Sequence, residues 1–166
     1  FSELEDGPLK EAIYALARKV EFGTAGIFVV DASTRSTHGN AYFTGLFGER
    51  RIVLFDTLIK DLENHELVAV LAHELGHFKL HHLRWALNRS IVMTGVFFFV
   101  LHLCLNLEAF YTDFQLTGVS HYGALMVFSL WYGCIGFFVS PLSSWISRRN
   151  EFEADAFAKD QLGDGQ

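Results

Sequence analysis

One run in this chain of 166 residues combines residue types and spacing that can do chemistry: His73-Glu74-Leu75-Gly76-His77. On a helix, positions four apart lie one above the other on a single face, so both imidazoles can reach one metal ion. Glu74 projects beside them and need not be a ligand. It can take a proton from an attacking water and pass it to a leaving amine. The pattern H-E-x-x-H is a zinc metalloprotease signature for these reasons. Two histidines leave zinc short of a third protein ligand, so another element must deliver one to the same place.

The candidates are late in the chain. Residues 147–155, Ser-Arg-Arg-Asn-Glu-Phe-Glu-Ala-Asp, carry three acids. Glu151 and Asp155 are four apart and share a helix face, while Glu153 points elsewhere. Glu151 with His73 and His77 makes a His₂Glu set with one position open for water, the catalytic zinc arrangement. Asp155, one turn on, is a candidate to orient a ligand histidine through its other ring nitrogen. Arg148 is a candidate to offset the added negative charge or to hold Glu151 in place.

The intervening chain must fold back to bring these groups together, and its composition says how. Residues 90–107 contain no Asp, Glu, Lys or Arg, and residues 114–147 are also uncharged. A bilayer core takes about 20 apolar residues of helix, about 17 at the short end. Two such runs predict a transmembrane hairpin at approximately residues 90–140, with the acidic stretch 108–113 between its arms and Pro141 kinking or restarting the second helix. Lys79, Arg84, Arg89, Arg148 and Arg149 stand on the motif side and only Glu108 and Asp113 on the far side, which places the motif towards the cytoplasm. Two crossings return residues after 147 to the level of His73 and His77. The bland alternative is a helical pair buried inside a soluble protein.

The first third of the chain reads as a scaffold for the motif helix. Pro8 and the acids before it start an amphipathic helix whose apolar positions are Leu9, Ile13, Leu16, Ala17 and Val20, ending near Gly23. Residues 27–30, 40–44 and 52–55 read as strands of a small antiparallel sheet, separated by a polar loop at 31–39 and a glycine-containing turn at 45–51. Asn40, Ala41 and Tyr42 lie on the strand best placed to take an extended substrate by edge pairing. Asp56-Thr57 opens a short helical piece. Asn64 is the expected cap of the motif helix, which continues unbroken to Trp85. The predicted class is mainly α with a small antiparallel β-sheet (α+β). The chain reads as a single peptidase domain over residues 1–166, a segment of a longer membrane protein.

Charge excludes one function class. The net charge is −6 with no basic cluster, so nothing marks a nucleic-acid footprint. Cys104 and Cys134 sit in apolar runs and read as small buried hydrophobes.

Taken together, the residues resemble those of the type I CAAX prenyl proteases, the membrane zinc metallopeptidases that include the yeast a-factor-converting enzyme. The resemblance is carried by Asn40-Ala41-Tyr42-Phe43, by residues 51–58 (Arg-Ile-Val-Leu-Phe-Asp-Thr-Leu), by the His73–His77 motif, and by residues 147–158. It implies a gluzincin-like core, one Zn²⁺ held by His73, His77 and Glu151, Glu74 as acid/base, Asp155 as a proton donor, and Asn40 to Tyr42 holding the substrate backbone. It also implies a multi-span chamber, of which only two spans lie here, and a His- and Arg-containing segment beyond this chain. Expected partners are a peptide or prenylated-protein substrate and the lipid bilayer. The expected location is the endoplasmic reticulum membrane in a eukaryote, or the inner membrane in a bacterium. Two rivals remain: a membrane quality-control or stress-response zinc protease with the same chemistry, and a non-catalytic zinc-stabilised membrane scaffold. A structural site has no need of an acid beside an open coordination position, so Glu74 argues against the scaffold.

Overall fold

The structure, a computed structural model, describes residues 1–31, 40–44, 50–114 and 121–163. All but the first residue of the expected loop at 31–39, most of the expected turn at 45–51, and residues 115–120 lie outside the described residues. The chain forms two compact units, one of Phe1–Leu80 with Glu151–Gln166 and one of His81–Asn150.

The first unit begins with β1 (Ser2–Glu3) and α1 (Pro8–Lys19), with Pro8 at its start, Glu11 in its first turn and Arg18 and Lys19 in its last. These charges complement the helix dipole. Ile13, Leu16, Ala17 and the following Val20 are buried. The helix stops before the expected Gly23. Glu21 takes the left-handed conformation, φ 53°. The Phe22 amide donates to Ala17 O at 2.7 Å and the Glu21 amide to Arg18 O at 3.0 Å. This is a Schellman closure with glutamate where glycine is usual.

Next come β2 (Gly26–Val30), β3 (Ala41–Thr44) and β4 (Arg51–Phe55). The sheet order is β1-β2-β4-β3. The sheet is mixed, not antiparallel as expected: β2 runs parallel to β4, pairing Gly26 with Arg51 through Val30 with Phe55, while β3 runs antiparallel to β4. The chain leaves β2, passes over one position and returns through the β3–β4 pair, so β4 fills the centre. Its Ile52, Val53 and Leu54 are all buried. A continuous apolar run with no alternation is what a strand covered on both faces needs. In the described sheet β3 lies at the edge.

Helix α2 (Asp56–Asp61) leads to α3 (Asn64–Lys79). The cap of α3 is Glu63 rather than Asn64: the Glu63 amide donates to Glu66 Oε2 at 2.9 Å in a reciprocal capping box. Leu67, Val68, Leu71, Ala72 and Leu75 form its buried face and join α1, β2 and β4 in one core. The helix ends at Lys79 and does not run on to Trp85. His81, in the left-handed conformation at φ 58°, separates it from the next helix. Histidine is among the few non-glycine residues that visit this region readily.

The second unit holds α4 (His82–Asn106), α5 (Glu108–Asp113) and most of α6 (His121–Leu162), whose last turns belong to the first unit. α4 and α6 are long and apolar enough to cross a membrane. Their outward faces carry exposed Phe98, Phe99, Met126, Phe137 and Phe138. They meet through Phe97, whose ring lies 5.5 Å from that of Phe128 and 4.7 Å from that of Tyr132. Pro141 does not restart α6, which remains one helix of 42 residues. Cys104 and Cys134 are free thiols, half-buried and exposed rather than buried.

Candidate metal centre

α3 presents His73 and His77 one turn apart. Their rings have centroids 4.8 Å apart, and the two Nε2 atoms are 3.1 Å apart. The end of α6 brings Glu151 to the same point. Its Oε2 lies 3.4 Å from His73 Nε2 and 3.6 Å from His77 Nε2. All four residues named so far in this unit, including half-buried Glu74, belong to two helices.

Those three separations form a test. A tetrahedral zinc with bonds of about 2.0–2.2 Å holds neighbouring ligand atoms about 3.3–3.6 Å apart. The observed 3.4 and 3.6 Å fall in that range and the 3.1 Å between the two nitrogens lies just below it, close to three corners of such a tetrahedron. Nitrogen, nitrogen and carboxylate oxygen are also the donor types zinc accepts at catalytic sites. The residues present therefore fit the ion.

Asp155 lies behind His73, with its Oδ1 2.7 Å from His73 Nδ1. Because Nε2 faces the cluster, the ring proton belongs on Nδ1, where it donates to Asp155. A carboxylate there holds the ring orientation.

A close approach of backbones sets this geometry. A Cβ on Gly76 would lie 3.1 Å from Ala154 Cα, 3.2 Å from Ala154 O and 3.3 Å from Phe157 Cδ1. Glycine at 76 and the small Ala154, itself fully buried, let α3 and the end of α6 touch main chain to main chain. Glu151 and Asp155, on either side of Ala154, are then within reach of the histidines. Glu153, one position before Ala154, is half-buried and outside the cluster.

Asn40, Ala41 and Tyr42 lie at the sheet edge. The Phe55 amide donates to Asn40 O at 3.0 Å, and the Ala41 amide donates to Asn40 Oδ1 at 2.9 Å. Since Asn40 pairs with Phe55, strand alternation turns the main-chain groups of Ala41 and Phe43 to the side away from β4. Tyr42 stacks edge-on against Phe55, with centroids 6.1 Å apart. Among the described residues no hydrogen bond or ion pair joins these three to the histidine cluster. Arg148 lies on α6 three residues before Glu151 and is exposed.

A feature that residue patterns did not reveal is Arg50. Its guanidinium lies 4.9 Å from the ring centre of Phe78 and 5.5 Å from that of Phe22. Nothing in the spacing of Phe22, Arg50 and Phe78 announces this meeting.

The profile of peptidase family M48 matches residues 3–166. The chain is 41% identical over 157 residues to the CAAX prenyl protease 1 homolog of Dictyostelium discoideum, covering 92% of this chain and 37% of that one. It is 39% identical over 175 residues to CAAX prenyl protease 1 of Saccharomyces cerevisiae, covering 96% and 39%. The crystal structure of S. mikatae Ste24p matches with a TM-score of 0.80 and 37% identity, over 98% of this chain and 41% of that one. The chain thus spans about two-fifths of the length of these relatives.

Proposed function

The chain belongs to peptidase family M48, and from that premise we propose that it carries the zinc-binding and proton-transferring part of an integral-membrane endopeptidase of the CAAX prenyl protease type. The observation that carries this reading is the triangle of His73 Nε2, His77 Nε2 and Glu151 Oε2, whose edges lie close to those of a three-ligand zinc site with one corner open. Relatives named for CAAX prenyl protease activity support the substrate class.

His73, His77 and Glu151 would hold the ion, which when bound supplies Lewis acidity and a water acidified towards neutrality. Glu74, on the same helix between the two histidines, accepts the proton of the attacking water and returns it to the departing nitrogen. Asp155 keeps His73 in the tautomer that leaves Nε2 free to ligate. The free edge of β3 receives the substrate as an added strand, with main-chain groups of Ala41 and Phe43 as partners and Asn40 and Tyr42 flanking them. Arg148 shares a face with Glu151 and offsets the negative charge there. The substrate is a peptide at the membrane, a prenylated C-terminus in a eukaryote. Lys79, Arg84 and Arg89 around the start of α4 and Arg148 and Arg149 just before Glu151 support a cytoplasmic orientation, in the endoplasmic reticulum membrane of a eukaryote or the inner membrane of a bacterium.

The test uses the full-length protein in lipid nanodiscs. One zinc per chain and chelator-sensitive peptide cleavage are expected. Glu74→Gln keeps the zinc and lowers turnover by about 10²-fold or more, the scale of a lost general base. Undiminished cleavage by that variant removes Glu74 from the mechanism.

A further inference from the structure

Four separate elements converge on one aromatic cluster in the first unit. Phe22 follows α1, Phe43 lies in β3, Phe78 directly follows the candidate ligand His77 in α3, and Arg50 leads into β4. The ring of Phe22 is the hub: its centre is 5.1 Å from that of Phe43 and 5.1 Å from that of Phe78. Phe22 is buried, and Phe78 is 36% exposed. Arg50 closes the open side, over Phe22 and Phe78 together. Its base is held, since Arg50 O accepts from the Ala25 amide at 2.7 Å. Among the described residues no carboxylate pairs with its guanidinium, so the rings are the groups it meets.

We propose that Arg50 is a positioning residue: by clamping Phe22 and Phe78, it holds the β3 edge at a fixed distance from the histidine pair of α3. This rests on the reading of β3 as the strand that receives substrate. Among the described residues, strand β3 is hydrogen-bonded on one side only, to β4. Its tie to α3 runs through the rings Phe43, Phe22 and Phe78. A substrate added to the free edge loads that tie. A planar cation over two rings stiffens it without filling the space that a larger apolar group would need. Loosening the clamp therefore impairs capture of an extended peptide more than it impairs proton transfer at Glu74.

The experiment compares wild type, Arg50→Met, Arg50→Lys and Phe78→Leu in the full-length protein in nanodiscs. Methionine keeps an apolar stem and removes the cation. For an extended peptide substrate, Arg50→Met is expected to raise KM about tenfold, ~1.4 kcal/mol, with kcat within about twofold and zinc content unchanged. Arg50→Lys recovers part of the loss, because an ammonium still attracts the ring faces. Amide exchange in β3 speeds up about fivefold or more, while the buried turn of α3 around Leu71 exchanges as before. Phe78→Leu gives the same pattern should Arg50→Met fail to fold. A drop in kcat at constant KM overturns the proposal. So does loss of zinc, an exchange increase spread evenly over the unit, or no change at all. If wild type cleaves no peptide, the protease reading falls, and the exchange measurement alone still decides the clamp.

Discussion

Gly76→Ala should weaken zinc binding while changing the fold very little. The new Cβ meets Ala154 Cα at 3.1 Å, Ala154 O at 3.2 Å and Phe157 Cδ1 at 3.3 Å. Carbon atoms rest at about 3.5–4.0 Å, so α3 and the end of α6 must part by roughly 0.4 Å or more. Two effects on stability oppose each other. Alanine inside a helix is worth ~1 kcal/mol over glycine, and overpacking costs ~1–3 kcal/mol, leaving a net loss of ~0–2 kcal/mol. The metal centre has no such compensation. Glu151 Oε2 stands 3.4 and 3.6 Å from the two imidazole nitrogens, the second already at the upper end of a tetrahedral edge. A further few tenths of an ångström stretches or tilts one bond. Zinc affinity is expected to fall about tenfold or more, ~1.4 kcal/mol. Competition with a chromophoric chelator measures it on the full-length protein, beside thermal unfolding of the metal-free form. Ala154→Gly does not rescue the variant, because the first two contacts are to main-chain atoms that glycine retains. An affinity within about twofold of wild type, with unchanged or raised stability, would refute the claim that this close approach sets the position of Glu151.

Removing the carboxylate of Asp155 tests its contact with His73: Asp155→Ala should cost about 10–100-fold in zinc affinity, and Asp155→Asn less, since its amide oxygen still accepts from Nδ1. If Asp155→Asn instead keeps full zinc affinity and loses turnover, Asp155 is a proton donor, as the family resemblance suggested. Glu21→Gly should stabilise the first unit by about 1 kcal/mol, because it removes a left-handed glutamate at the end of α1. The ion pair it gives up, Glu21 to Lys79 at 3.8 Å with Glu21 89% exposed, is worth little. A lower unfolding temperature for Glu21→Gly would show that the closure of α1 is not strained.

What could be read in the chain alone was governed by short-range periodicity. The two histidines share a face because 3.6 residues make a turn, whatever surrounds the helix. The two apolar runs marked helices α4 and α6 because a bilayer crossing has a minimum length. Glu151 became a candidate by counting crossings, an argument from topology that needs no coordinates. The apolar, β-branched run at residues 52–55 marked a strand, though not its neighbours in the sheet.

Pairing partners and points of close contact were decided only in three dimensions. A strand's sequence records which faces are buried and not which neighbour it chooses, so the parallel alignment of β2 with β4 was invisible. Helix ends depend on one or two residues that can tolerate a left-handed backbone, and nothing around Glu21 or His81 advertised that role. The distances from Glu151 to the imidazoles, the Asp155 contact behind His73 and the Arg50 clamp join residues far apart in the chain. Such contacts depend on how closely two backbones can approach, and at Gly76 and Ala154 that is a matter of tenths of an ångström, which residue spacing does not encode.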